Sequence, residues 1–225
     1  MNNLPEFLTQ ISIFALPMML AIILHEVMHG VVARILGDDT AARAGRLTLN
    51  PLAHVDPFGT IILPAILLFA GAPVFGYAKP VPIDYRNLRN PRSGIMMVAA
   101  AGPLTNFTLA ALSVVLWMIL SPYDTPSAGV AIVHPILLML QASLWVNVGL
   151  GVFNLIPILP LDGGRVLVGF LPLKAARAMA RFEGMGFLLL FALLYFRGFN
   201  LALGRMINAV GNGLVMLIIG IARML

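Results

Sequence analysis

From Gly94 to Leu120 the chain carries no charged residue, and from residue 128 to 161 it again carries none. Each run exceeds the ~20 apolar residues that take a helix across a hydrocarbon core. Phe7 to Ile35 forms a third long apolar stretch, and the last forty or so residues read as two more helices, broken near Arg197–Asn200. Overall, 60% of the residues are hydrophobic and 10% charged, with mean hydropathy +0.96. Soluble domains carry about 25% charged residues, and a chain of this length has too little interior to hide so much apolar surface. The expected fold is therefore an all-α membrane protein, a polytopic helical bundle of about five spans. The 225 residues form one expected domain, with a core over 8–165 and C-terminal helices over 166–225.

The connections add detail to that expectation. Gly37-Asp38-Asp39 stops the first span. Gly45–Leu49 alternates like a short strand, and Asn50-Pro51 turns away from it. Residues 59–76 are apolar but interrupted by Pro64, Gly71 and Pro73. Tyr77 to Ile83 reads as extended, because Pro80 and Pro82 keep their predecessors out of the helical region. Lys and Arg concentrate in 34–58, 77–93 and 162–185. Placing these on the cytoplasmic side leaves Arg197 and Arg205 as the only basic residues on the other, as the positive-inside rule requires. That topology makes 59–76 a re-entrant segment. Irregular backbone survives at such depth only where protein or water covers it, so a cavity near the cytoplasmic face is expected, with short β strands beside it. The net charge of +5 is assigned to lipid headgroups, not to nucleic acid. Arg86, Arg89 and Arg92, and likewise Lys174, Arg177 and Arg181, are read as headgroup contacts.

Chemistry enters within the first span, at His25-Glu26-Val27-Met28-His29. Residues four apart lie one above the other on a helix face. Two imidazoles there can hold one metal ion, with the glutamate placed to act on a nearby water. Ionisable groups inside a span cost about 2.5–3.5 kcal/mol each and mark function. The chain has no cysteine, so a third ligand must be His54, His134 or a carboxylate. Asp162 stands out because it ends the second charge-free run. Pro157 and Pro160 loosen the backbone before it, and Gly163-Gly164 permit close approach after it. A helix-capping role for Asp162 remains the alternative. His54 and Asp56 are balanced between support of a ligand and an interfacial turn.

Three segments together carry a resemblance: His25–His29, then Ala101-Gly102-Pro103-Leu104-Thr105-Asn106, then Phe153-Asn154-Leu155-Ile156-Pro157-Ile158-Leu159-Pro160-Leu161-Asp162-Gly163-Gly164-Arg165. Their order and hydropathy context resemble the site-2 protease family of intramembrane zinc metalloproteases, in its compact bacterial and archaeal form. The resemblance implies one Zn2+ per chain bound by His25, His29 and Asp162. It also implies Glu26 as general base and Asn154 close to the reacting carbonyl. The implied activity is hydrolysis of single-span membrane proteins within or near their spans, in the cell membrane, with the site toward the cytoplasm. Unwound substrate would pair with strands near 45–49 or 74–83. A membrane metal transporter is the rival reading, and an inactive scaffold a third.

Overall fold

The computed structural model describes residues 4–71, 76–124 and 132–224. Four of its helices are long and apolar enough to cross a membrane: α1 (Leu4–Ile35), α4 (Pro91–Leu120), α5 (Val133–Asn154) and α9 (Arg197–Ala222). The short α2 (Thr40–Arg43) and α3 (Leu63–Phe69) lie between the first two spans, and α6 (Asp162–Phe170), α7 (Leu173–Arg181) and α8 (Glu183–Tyr195) between the last two. The pair α7–α8 bends by 64°, and counts as a fifth span only if taken as one.

Local chemistry explains the helix ends. Gly37 adopts φ +115, and the Asp38 and Gly37 N–H groups donate back to Ala33 O (2.9 Å) and Arg34 O (3.1 Å). This paired return closes the last turn of α1 and needs the left-handed residue that glycine supplies. Asp38 is fully buried. It accepts from the backbone N–H groups of Asp84 (2.8 Å) and Thr40 (3.1 Å) and from the Asn87 amide (3.0 Å). Burial pushes its carboxyl up, but the Asn87 amide, the Thr40 hydroxyl and the two backbone donors outweigh that and hold it below the ordinary aspartate value. Pro91 opens α4 where its missing N–H is harmless, and Asn90 caps it. Asn154 ends α5 well before the charge-free run ends, because Pro157 and Pro160 cannot extend the helix.

Helices α1, α4 and α5 pack against one another, and α6 packs on α4. Ala110, Val114, Leu144, Val148 and Val152 fill the seam between α4 and α5, with Leu203, Ile207 and Leu214 of α9 laid against it. Ala99, Ala101 and Gly102 are buried on α4, where small side chains let the neighbouring helices approach closely. The other faces of the spans expose Phe14, Met18, Leu112, Leu116, Ile119 and Leu217. Apolar surface of this extent suits lipid and not water.

Residues Pro57–Phe69 form a π turn followed by α3. At 1.5 Å per residue this reaches about 20 Å, short of the ~30 Å a crossing needs. The chain then returns to its own start. Tyr77 N–H donates to Gly59 O (3.0 Å), and the Thr60 hydroxyl donates to Tyr77 O (3.0 Å). Residues 59–60 and 77 are thus held together; residues 72–75 lie outside the described residues.

Three expectations need correction. No β strand occurs among the described residues. Residues 46–49 bond locally instead: Arg46 N–H donates to Ala41 O (2.9 Å), His54 Nε2 donates to Thr48 O (2.9 Å) and the Thr48 hydroxyl accepts from Asn50 N–H (3.2 Å). The N–H groups of Tyr77, Lys79 and Val81 donate to carbonyls of two helical turns and to the Glu26 carboxylate, not to a partner strand, and residues 74 and 75 of the expected 74–83 strand lie outside the described residues. Nor are all the basic residues of 86–92 free for headgroups. Arg86 pairs with Asp84 (2.8 Å). Arg92 donates to Gly169 O (2.9 Å), Phe170 O (3.2 Å) and Leu171 O (3.0 Å), supplying donors that the C-terminus of α6 lacks. By contrast Lys174, Arg177 and Arg181 are exposed along α7.

Candidate metal centre

The i, i+4 spacing on α1 stacks His25 and His29 on the face that meets α4, and both are buried. Their Nε2 atoms lie 3.1 Å apart. Asp162, the first residue of α6, completes the group: its Oδ2 is 3.1 Å from His25 Nε2 and 3.4 Å from His29 Nε2. The loop Leu155–Leu161 makes this possible by folding back under α6. Gly163 and Gly164 lie directly on it, where an added Cβ would stand 2.6 Å from Ile156 O and 2.5 Å from Leu159 N. At Gly102 of α4 an added Cβ would stand 2.5 Å from His29 Nε2 and 2.6 Å from His25 Nε2. Only glycine lets α4 approach this closely.

The electrostatics of the triangle call for a cation. His29 Nδ1 faces Val98 O (2.7 Å), and His25 Nδ1 faces Asn106 Oδ1 (2.6 Å). Both partners can only accept, so each Nδ1 carries a proton, and in the neutral imidazole each Nε2 then presents a lone pair. The third corner, Asp162 Oδ2, is buried with no hydrogen-bond donor. Three acceptor atoms aimed at one point repel one another and are costly to bury. Ligand atoms about 2.0–2.1 Å from a tetrahedral ion lie roughly 3.3–3.4 Å apart, close to the spacing seen here. His25, His29 and Asp162 are the one His/Asp/Glu group among the described residues whose ligand atoms converge this way. Two histidines and a carboxylate suit zinc and leave a fourth position open.

Glu26 lies outside the triangle, half-buried on the adjoining face of α1. Its Oε2 accepts from Val81 N–H (3.1 Å). Asn154 sits in the last turn of α5, where its amide donates to Leu150 O (3.0 Å). The remaining candidates fall elsewhere. His54 is buried in a turn against Thr48 O. Asp56 caps the turn Pro57–Ile62 by accepting from Phe58 and Gly59 N–H. His134 pairs with Asp124 (3.0 Å).

Asn106 was assigned no role from sequence, yet it is fully buried and contacts His25 directly. The available signal was a carboxamide in the middle of a charge-free span, where a polar side chain needs a partner.

Comparison with known proteins gives the family of the chain. The family model described as Peptidase family M50 matches residues 13–130 and 123–196. "Putative zinc metalloprotease YwhC" of Bacillus subtilis is 37% identical over 174 residues, covering 76% of this chain and 74% of the relative. "Putative zinc metalloprotease Rip2" of Mycolicibacterium smegmatis is 30% identical over 181 residues, covering 78% of this chain and 64% of the relative. A zinc metalloprotease of Methanocaldococcus jannaschii is 33% identical over 84 residues, 37% of this chain and 22% of the relative. No solved structure matches the chain significantly. With its multi-pass helices and the family match over most of its length, the chain belongs to peptidase family M50, the site-2 proteases, and is a metalloprotease.

Proposed function

We propose that this chain hydrolyses peptide bonds within or beside the membrane-spanning segment of single-span membrane proteins, using one zinc ion held by His25, His29 and Asp162. The observation that carries the reading is the convergence of three buried acceptor atoms with Asp162 Oδ2 left without a donor. A zinc ion there supplies Lewis acidity, which brings the pKa of a water molecule to near 7 and polarises a scissile carbonyl. The residues of the chain do the rest. Glu26 takes the proton from the attacking water at Oε1 or Oε2 and returns it to the leaving amine nitrogen. An asparagine amide has two N–H donors. One on Asn154 is committed to Leu150 O, which leaves the other for the developing oxyanion. Confinement of His25, Glu26, His29 and Asp162 to one cluster favours a closed hydrolytic site over a transporter, which spreads ionisable groups along several spans.

The site faces the cytoplasm in this reading. Three basic segments gather at the site's end of the bundle: Arg89 N–H donates to Leu36 O, Arg46 to Lys79 O, and Arg92 to the end of α6. The positive-inside rule assigns that end to the cytoplasm.

Substrate reaches the site beside residues 77–82. Tyr77, Lys79 and Val81 direct their N–H groups inward, to Gly59 O, His54 O and Glu26 Oε2. This alternation is that of an extended chain, whose residues 78, 80 and 82 face the other edge. Pro80 and Pro82 have no N–H, so Ala78 carries the outward donor and an unwound substrate pairs there.

The test uses the full chain in liposomes with a tagged single-span substrate. A strong zinc chelator should abolish cleavage, and zinc should restore it; cleavage that survives full metal removal overturns the reading. In the same assay Ala78→Pro should lower the rate roughly 2–10-fold, as expected for one lost hydrogen bond, with zinc content unchanged. An unaltered rate would remove the proposed substrate edge.

A further inference from the structure

The two histidines have their protons placed by different means. His29 Nδ1 donates straight to a backbone carbonyl, Val98 O. His25 Nδ1 donates to Asn106 Oδ1, on a side-chain amide that could in principle turn over. Reversed, that amide would offer an N–H to Nδ1. The His25 proton would then move to Nε2 and close the lone pair that faces the ion.

Two helices hold the amide in place. The Asn106 NH2 group donates to Asn147 Oδ1 (2.9 Å) and to Ala21 O (3.3 Å). Asn147, on α5, donates in turn to Ser143 O (2.9 Å) and to the Ser143 hydroxyl (3.2 Å), which also receives the Ser113 hydroxyl of α4 (2.8 Å). Asn106 and Asn147 are both essentially fully buried, so no water competes. The direction of the series is set at its ends. Ala21 O and Ser143 O are carbonyls and can only accept, so both NH2 groups must point at them. Reversing the two amides together would press Asn106 Oδ1 against Ala21 O and Asn147 Oδ1 against Ser143 O, two acceptor–acceptor contacts in a dry interior. A donor–acceptor series running one way also polarises along its length, which favours electron density at His25 Nε2.

We infer that Asn147, which touches neither imidazole nor carboxylate, is a positioning residue: through Asn106 it holds His25 in the tautomer that presents Nε2 to the metal. The inference rests on the metal-centre reading above. It has a readout that needs neither zinc nor activity.

The full chain, labelled with 15N-histidine and stripped of metal by chelator, is read by 15N NMR. In the wild type, His25 and His29 should both be protonated at Nδ1. In Asn147→Leu, which keeps the volume but not the amide, His25 should gain an Nε2-protonated population while His29, held by Val98 O, does not change. Zinc affinity, by competition with a chromophoric chelator, should fall 10–100-fold, as for lost outer-shell partners elsewhere. A neutral wild-type His25 protonated at Nε2 and not at Nδ1 overturns the inference without recourse to any variant, which covers the case of a variant that does not fold. Folded Asn147→Leu with wild-type zinc affinity and an unchanged His25 signal overturns it too. Failure of the wild type to bind zinc would instead overturn the metal-centre reading, and the tautomer measurement would still decide the role of Asn147.

Discussion

Glu26→Gln should leave one zinc ion per chain and lower cleavage by roughly 10²–10⁴-fold, the usual contribution of a general acid–base group. The substitution is nearly isosteric. A glutamine oxygen can still accept from Val81 N–H, which Glu26 engages at 3.1 Å, so the loop stays in place. Glu26 is also outside the triangle formed by His25, His29 and Asp162, and its loss removes no ligand. Only the ability to take a proton from water disappears. Metal analysis of the purified variant, alongside cleavage of a co-expressed single-span substrate, reads both quantities. Cleavage at the wild-type rate would eliminate Glu26 as the base.

Asp162→Ala should behave in the opposite way, losing zinc as well as activity. Its Oδ2 is within 3.4 Å of both Nε2 atoms, and no other carboxylate among the described residues joins them. Zinc affinity should drop by more than the roughly 100-fold typical of an outer-shell loss. A second consequence separates this account from a structural ion pair. Without metal, and at alkaline pH where both imidazoles are neutral, Asp162 is a buried acceptor with no donor, facing two lone pairs, and removing such a group relieves a cost under those conditions. The metal-free variant should therefore melt no lower than the metal-free wild type. Added zinc should raise the melting temperature of the wild type, as any ligand bound only by the folded state does, and not that of the variant. A variant that unfolds at lower temperature in the absence of metal would show that Asp162 holds α6 in place by some other means.

These residues were legible to different degrees. His25 and His29 could be paired from sequence because four residues along a helix is a local distance, set by backbone geometry alone. The stop at Gly37 was equally local. Asp162 could be nominated but not separated from a helix cap, since both roles put an aspartate at the start of a helix. What separates them is that its carboxylate points across to α1. Arg92 was misread because nothing in its own segment reveals that the end of α6 lies beside it. The short strands failed for a related reason. Alternation and prolines make 77–82 extended, but a strand also needs a neighbouring backbone, and this segment meets a histidine-bearing turn and the Glu26 carboxylate instead. The role of Asn106 is not legible along the chain, because its partner, Asn147, belongs to another helix.

By itself, then, the order of residues determined a membrane-embedded helical chain, the placement of its basic segments on one side, and two imidazoles stacked on one helix face. Hydropathy, charge and helical pitch act over a few residues and need no knowledge of neighbours. The tertiary structure alone decided which carboxylate meets the imidazoles and which buried acceptors face their Nδ1 atoms. Those depend on how α1, α4, α5 and α6 approach one another, and that approach is governed by glycines and carbonyls far apart along the chain.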